Sequence, residues 1–304
     1  MIGRGDEGRP AFLGALTGRD RNWVRVLGMA ALAPAAVVLF SILLAFGGAL
    51  YQRATGVRVF EFGPGTGPLL ARSAGFTLAV SAGLVIAAVA ILLSASLVFR
   101  RPLRSWITSG PRFRWGLLVL GAGWSAMGIL LEGFAASAIT GPGAGDPTPP
   151  FFAAGVTLAQ QLRFAAFVVP ALAAAAAAEE AVFRGYLLQQ QAAFTRRLWL
   201  AMLLNGLVFA AVHMEFHPGA LAVRTLMGMV FAYSALRLGG LEFAIGAHAA
   251  NNLVIVFLGQ PLLPDMAETR PTWAELGQEA LIFLWIAAGV EIVRRRRQAR
   301  GAAG

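Results

Sequence analysis

The sequence has no cysteine and no lysine, and its charged residues are few. Without cysteine there is no disulfide framework, no thiolate nucleophile and no cysteine-ligated metal. Without lysine, all 25 cationic residues are arginine. Together with the abundance of alanine, this reads as the codon bias of a GC-rich, bacterial genome. Charged residues make up 13% of the 304, about half the share of a soluble domain. What fills the remainder is apolar: 58% of residues are hydrophobic and the mean hydropathy is +0.68. That composition predicts an integral membrane protein, all-α, with no repeat and no soluble domain. The net charge of +10 raises nucleic acid as a partner. The arginines, however, sit in tails and loops between apolar segments, so orientation in a bilayer accounts for them better.

A helix that crosses a bilayer needs ~20 apolar residues. That length predicts about eight spans: Val26–Leu50, Ala74–Val98, Trp115–Ile139, Phe164–Gln190, Leu198–His213, Gly219–Leu236, Leu241–Leu258 and Ala280–Val293. The first run exceeds a signal-peptide core of ~7–15 residues and is expected to remain as a membrane helix. Proline and glycine clusters at 141–150 and 259–264 punctuate the loops. The expected organisation is an N-terminal tail over 1–25, a single bundle over 26–293 and a basic tail over 294–304.

Charge along the loops sets the topology. Arg4, Arg9, Arg19, Arg21 and Arg25 precede the first span; Arg100, Arg101, Arg104, Arg112 and Arg114 lie between the second and third. Arg196 and Arg197 mark the next turn of the same side, and Arg294–Arg297 with Arg300 come after the last span. The opposite loops hold Asp146, or Asp265, Glu268 and Glu275 against Arg270; the loop with Arg53, Arg58 and Arg72 is the exception. The positive-inside rule then places both termini in the cytoplasm, in a bacterial inner membrane.

Against this background a few polar groups stand out. The fourth span carries Glu179, Glu180 and Arg184, which would cost on the order of 8–10 kcal/mol if they faced lipid. Glu180 and Arg184 are four apart and can pair. Glu179 points about 100° away and is left for another task. His213 ends VFAAVH in the fifth span, and His248 lies in AHAANN of the seventh with Asn252 one turn on. Glu179 and His213 are each 17 residues from Arg196, so an antiparallel hairpin brings them level. His248 is only eight residues past Gly240. For all three to share one depth, the Arg196 hairpin must project about 13 Å beyond the Gly239–Gly240 turn.

The fragments Glu179-Glu180-x-x-x-Arg184, Phe209-x-x-x-His213 and His248-x-x-x-Asn252 stand in that order. The chain thereby resembles the CPBP family of intramembrane proteases, also called type II CAAX endopeptidases or the Abi family, whose signature is EExxxR, FxxxH and HxxxN on successive helices. The resemblance covers residues 179–252 and not the first three spans. It implies an intramembrane endopeptidase acting near the cytoplasmic side, with Glu179, His213, His248 and Asn252 catalytic and Glu180, Arg184 and Phe209 in support. In this reading Glu179 activates a water that His213 orients, and His248 and Asn252 stabilise the oxyanion. No cofactor is favoured. The alternative is Zn²⁺ on Glu179, His213 and His248, the metalloprotease reading, although HExxH is absent.

The substrate would be a peptide or another membrane protein. In eukaryotes the family trims prenylated CaaX proteins, but a bacterium is not expected to supply these. Two other functions fit the composition. A proton-coupled transporter would use buried carboxylates and histidines, but would show symmetry between its halves, and none is visible. A non-catalytic, bacteriocin-immunity-type protein of the same fold would not need the complete set of four. Arg224 with Glu215 reads as a structural pair, Glu132 as solvated, His217 as a loop residue and Asn205 as an interhelical hydrogen bonder. The basic tail reads as an orientation signal touching lipid headgroups.

Overall fold

The computed structural model describes residues 9–55, 68–140, 148–214, 216–259, 261–263 and 273–302. Among the described residues eight main helices follow one another: α1 (Trp23–Thr55), α2 (Leu69–Phe99), α3 (Trp115–Thr140), α4 (Leu158–Phe194), α5 (Leu198–Val212), α6 (Pro218–Leu238), α7 (Glu242–Leu258) and α8 (Trp273–Ala302). Six are long and apolar enough to span a bilayer, and α5 and α7 are shorter apolar helices. The chain is a polytopic helical membrane protein. The loop charges Arg58, Asp146, Asp265, Glu268 and Arg270, and Glu215, lie outside the described residues, as does the side chain of Glu275.

Apart from α5 and α7, which keep the expected bounds to within one residue, the helices are longer than hydropathy predicts, α8 most of all. Arg294–Arg297 are helical rather than a loose tail. Arg294 bonds Glu291 at 2.8 Å, and Arg297 reaches the carbonyl of Leu238 at 3.3 Å. Within the bundle, small residues set the closest approaches. A Cβ on Gly246 of α7 would overlap the Leu118 carbonyl of α3, and Gly206 of α5 meets Gly228 of α6 backbone to backbone. With lipid as solvent, such close packing substitutes for a hydrophobic driving force. Glu132 is half-buried in α3.

Residues 9–22 are not a free tail. Residues 11–13 and 18–21 form two 3₁₀ turns, and Phe12, Leu13 and Asp20 are fully buried. Asp20 pairs with Arg101 at 2.9 Å. Arg101 also bonds Gln189 of α4 and lies 3.8 Å over the Trp106 ring. Burial pushes its guanidinium below the ordinary arginine range, and Asp20 pulls it back. Composition alone makes Arg101 a topogenic charge. The structure makes it a strut, because one guanidinium can serve a carboxylate, an amide and a ring at once.

The arginine-rich segments gather at one end of the bundle. Ser109 bonds Gly239, Leu241 bonds Ile107, and Arg21 reaches Ala193. At this end Gly185 of α4 lies against Trp106 and Leu241, level with the α6–α7 turn. Helix α4 then runs a further ten residues to Thr195, ~15 Å of helix. The α4–α5 hairpin therefore projects, and the N-terminal turns pack along it through Gln190 and Asp20.

These contacts carry two expectations for stability. Gly246→Ala is expected to lose ~1–3 kcal/mol through overpacking in graded SDS unfolding, while Gly123→Ala, with open space around it, changes little. Arg101→Met leaves Asp20 buried and unpaired and is expected to cost ~3–5 kcal/mol. It also exposes the segment before Trp23 to limited proteolysis; exposed Arg112→Met serves as the control.

Candidate active site

The site is built on α4 at the point where its hydrogen-bond pattern changes. Residues 158–180 are α-helical, 181–187 form a π segment, and 188–194 return to α. A π turn inserts an extra residue and rotates the facing of the residues beyond it. Here it begins directly after Glu179 and Glu180 and contains Arg184. Buried Asn205 of α5 donates to the Phe183 carbonyl inside the π turn at 2.7 Å. Sequence reading makes Asn205 an interhelical hydrogen bonder, and the π turn is the reason it is needed. The π turn itself has no signal in the sequence.

Glu180 and Arg184 are fully buried and paired at 3.0 Å. His248 Nδ1 lies 2.9 Å from the same Glu180 oxygen. Because Glu180 is paired to a guanidinium, it is the acceptor and Nδ1 carries the proton. The remaining Arg184 nitrogens, Nε and Nη2, have no hydrogen-bond partner among the described residues. Aromatic faces surround them instead: the guanidinium carbon is 4.3 Å from the Phe209 centroid, 5.4 Å from Phe231 and 5.8 Å from Phe183. Ring quadrupoles attract a desolvated cation by ~2 kcal/mol or more. Phe231 also stacks on His248 at 5.5 Å. Phe231 belongs to no sequence motif, and sequence reading misses it; an aromatic in an apolar span carries no distinguishing mark.

With its Nδ1 held by Glu180, His248 turns Nε2 towards Glu179, 3.9 Å from Oε2. The hairpin register is as expected: Phe183 and Phe209, each thirteen residues from Arg196, meet edge to face at 5.1 Å. One turn further, Glu179 and His213 line a shared cavity of about 380 Å³. His213 Nδ1 bonds the Phe209 carbonyl at 2.8 Å. A carbonyl can only accept, so Nδ1 is the protonated nitrogen and Nε2 is free. Leu84, Ala87 and Ile91 of α2 form the opposite, aliphatic wall. His213 is exposed at the mouth and Glu179 is largely buried, whereas His248 lies behind them. Asn252 is half-buried on α7, one turn past His248, and does not line this cavity.

The same donors bear on metal binding. Each imidazole has Nδ1 tied to an oxygen and Nε2 free, which suits a ligand chemically. Yet no three His, Asp or Glu side chains among the described residues converge closely enough to hold an ion. Arg224 of α6 is near enough to His213 for its charge to act on the ring, alongside Glu179 and His248. Sequence reading pairs Arg224 with Glu215 and misses this proximity. His217 caps the start of α6 beside Pro218, as a loop residue would.

Residues 161–254 match the family model described as Type II CAAX prenyl endopeptidase Rce1-like. Over these residues the chain is similar to that family. The match begins near the start of α4, ends inside α7 and contains all three motifs. The similarity to that family thus falls on the helices that build the site. The uncharacterized protein YyaK of Bacillus subtilis (strain 168) is 34% identical over 112 residues, 32% of this chain and 37% of that protein. The alignment thus spans well under half of either chain. No solved structure matches. Helices α1–α3 and α8 lie outside the Rce1-like segment, although α2 supplies a wall of the cavity.

The buried triad makes a quantitative prediction. Arg184→Met leaves the Glu180 charge unpaired in the core and is expected to cost ~3–5 kcal/mol. Arg184→Lys keeps the charge but loses the planar stacking on Phe209 and falls between wild type and Met. The double variant Glu180→Gln/Arg184→Met is expected to be more stable than Arg184→Met alone. Equal stability of the two in SDS titration would mean that the pair is not coupled.

Proposed function

We propose that this chain is an intramembrane endopeptidase that uses Glu179 and His213 to activate water without a metal. The observation behind this reading is the position of Glu179. It is the carboxylate of the pair not consumed by Arg184. It opens into a cavity with His213 and has His248 Nε2 at its back.

In the proposed reaction the free Nε2 of His213 accepts one hydrogen of a water and orients it. Glu179 takes a proton as the water oxygen attacks the scissile carbonyl carbon. The carbonyl oxygen becomes an oxyanion. His248 and the Asn252 amide are the groups assigned to the oxyanion in this reading. Glu179 then returns its proton to the amide nitrogen as the C–N bond breaks, yielding an amine and a carboxylic acid. The acid's remaining proton, left from the water, passes to the amine, so that the products part as an ammonium and a carboxylate. Positioned acid–base catalysis contributes about 10²–10⁴-fold. The aliphatic wall from α2 favours substrates with apolar side chains beside the cleaved bond. Such a segment arrives from within the bilayer or from its surface, in keeping with a membrane-protein or lipophilic peptide substrate.

The test is a quenched-peptide library offered to the purified protein in detergent. Wild type is expected to cleave apolar-flanked peptides, and Glu179→Gln is expected to lose about 10²–10⁴-fold in rate. A strong chelator is expected to leave wild-type cleavage unchanged. Chelator-sensitive cleavage restored by Zn²⁺ would replace the metal-free mechanism with the zinc one. A folded wild type that cleaves no peptide would favour a non-catalytic relative of the immunity type.

A further inference from the structure

A second cavity, of about 510 Å³, opens at the arginine-rich end of the bundle, within the ~300–1,000 Å³ range of small-molecule sites. Arg114, Arg237, Arg294 and Arg297 line it, with Ser109 and Gln298, and none of its lining residues is acidic. The carboxylates that serve these arginines stand behind the wall. Glu242 takes Arg114 at 2.6 and 2.8 Å, and Glu291 takes both Arg237 and Arg294 at 2.8 Å. Four guanidiniums against two carboxylates leave two positive charges uncompensated in this group. The C-terminus of α6 also meets the cavity, and its carbonyls would by themselves repel an anion. They are already occupied: Leu238 accepts from Arg114 and Arg297, and Gly239 from Ser109.

We propose that this cavity binds the phosphate group of an anionic phospholipid. Guanidinium forks match phosphate oxygens in geometry and charge. The arginines of α8 stand in the last turns of an apolar span that runs from Leu276 to Ala299, which is headgroup depth. Leu236, Leu238 and Ala11 complete the wall and suit the glycerol and upper acyl carbons. Free phosphate shares the charge chemistry but not that apolar margin. The site is separate from the Glu179 cavity and does not depend on proteolysis.

The experiment measures retention of short-chain phosphatidylglycerol by the delipidated full-length protein, using native mass spectrometry and thermal stabilisation in detergent. Phosphatidylcholine and millimolar inorganic phosphate are the comparison ligands. Wild type is expected to retain phosphatidylglycerol over phosphatidylcholine, and inorganic phosphate is expected not to displace it. Arg297→Gln should weaken retention roughly fivefold, the effect of one arginine charge at a membrane surface. Arg296→Gln removes the same charge from an exposed neighbour outside the cavity and should leave retention within about twofold. Both variants should keep the lipid-free melting temperature. Equal weakening by the two would overturn the site in favour of diffuse attraction. Displacement by inorganic phosphate would overturn the lipid as its source.

Discussion

The contact on which the site depends is the buried triad of Arg184, Glu180 and His248. Glu180 cannot stand ionised in the core without its guanidinium, and the guanidinium cannot stand there without Glu180 and the phenylalanine rings around it. The triad joins α4 to α7 through a 2.9 Å hydrogen bond. It also gives the second carboxylate its freedom. Arg184 Nη1 and His248 Nδ1 both address Glu180, so Glu179 faces the cavity without a structural task. Two adjacent glutamates in one helix thereby acquire opposite roles. The helical turn of about 100° between them separates an anchoring group from a chemically available one.

Phe209 explains how three helices keep this arrangement. It stacks near Arg184, lies 4.7 Å from the His213 ring and 6.2 Å from His248, and meets Phe183 edge to face. Its carbonyl also sets the tautomer of His213. One side chain and its backbone thus touch all three motif-bearing segments. Aromatic contacts of this kind tolerate little displacement, which is why the π turn matters: it adjusts the facing of Arg184 relative to Glu179 and Glu180 without ending the helix.

Much of this was legible in the sequence, and the legible part was what the bilayer makes expensive. Apolar runs of spanning length gave the eight helices, because nothing else crosses lipid with its backbone bonds satisfied. Charges inside those runs gave Glu179, Glu180, Arg184, His213 and His248, because each is costly unless it has a partner. Counting from Arg196 placed the α4–α5 register, and with it the projection of that hairpin. What stayed hidden carries no such cost. Phe231 is one phenylalanine among 21. The π turn conserves composition. The packing of residues 9–22 results from Phe12, Leu13 and Asp20 finding the projecting hairpin, a long-range event that no local pattern announces. The lengths of α4 and α8 were underestimated for a related reason: hydropathy measures the apolar core of a helix, while arginines and glutamines continue it into the headgroup region.

The arginines do more than orient the chain. A chain that carries arginine in place of lysine has a planar fork wherever a positive charge is required. A topogenic charge needs no such geometry, and an ammonium would orient the chain equally well. Arg101, Arg114 and Arg184 use the fork: each holds a carboxylate and at least one further group, a carbonyl, an amide or an aromatic face. These three sit between α-helical spans or inside one, where an unshared donor is costly and multidentate bonding lowers that cost. Charges read as signals for insertion are thus also the ties by which the inserted helices, and the N-terminal segment before them, hold their positions around the site.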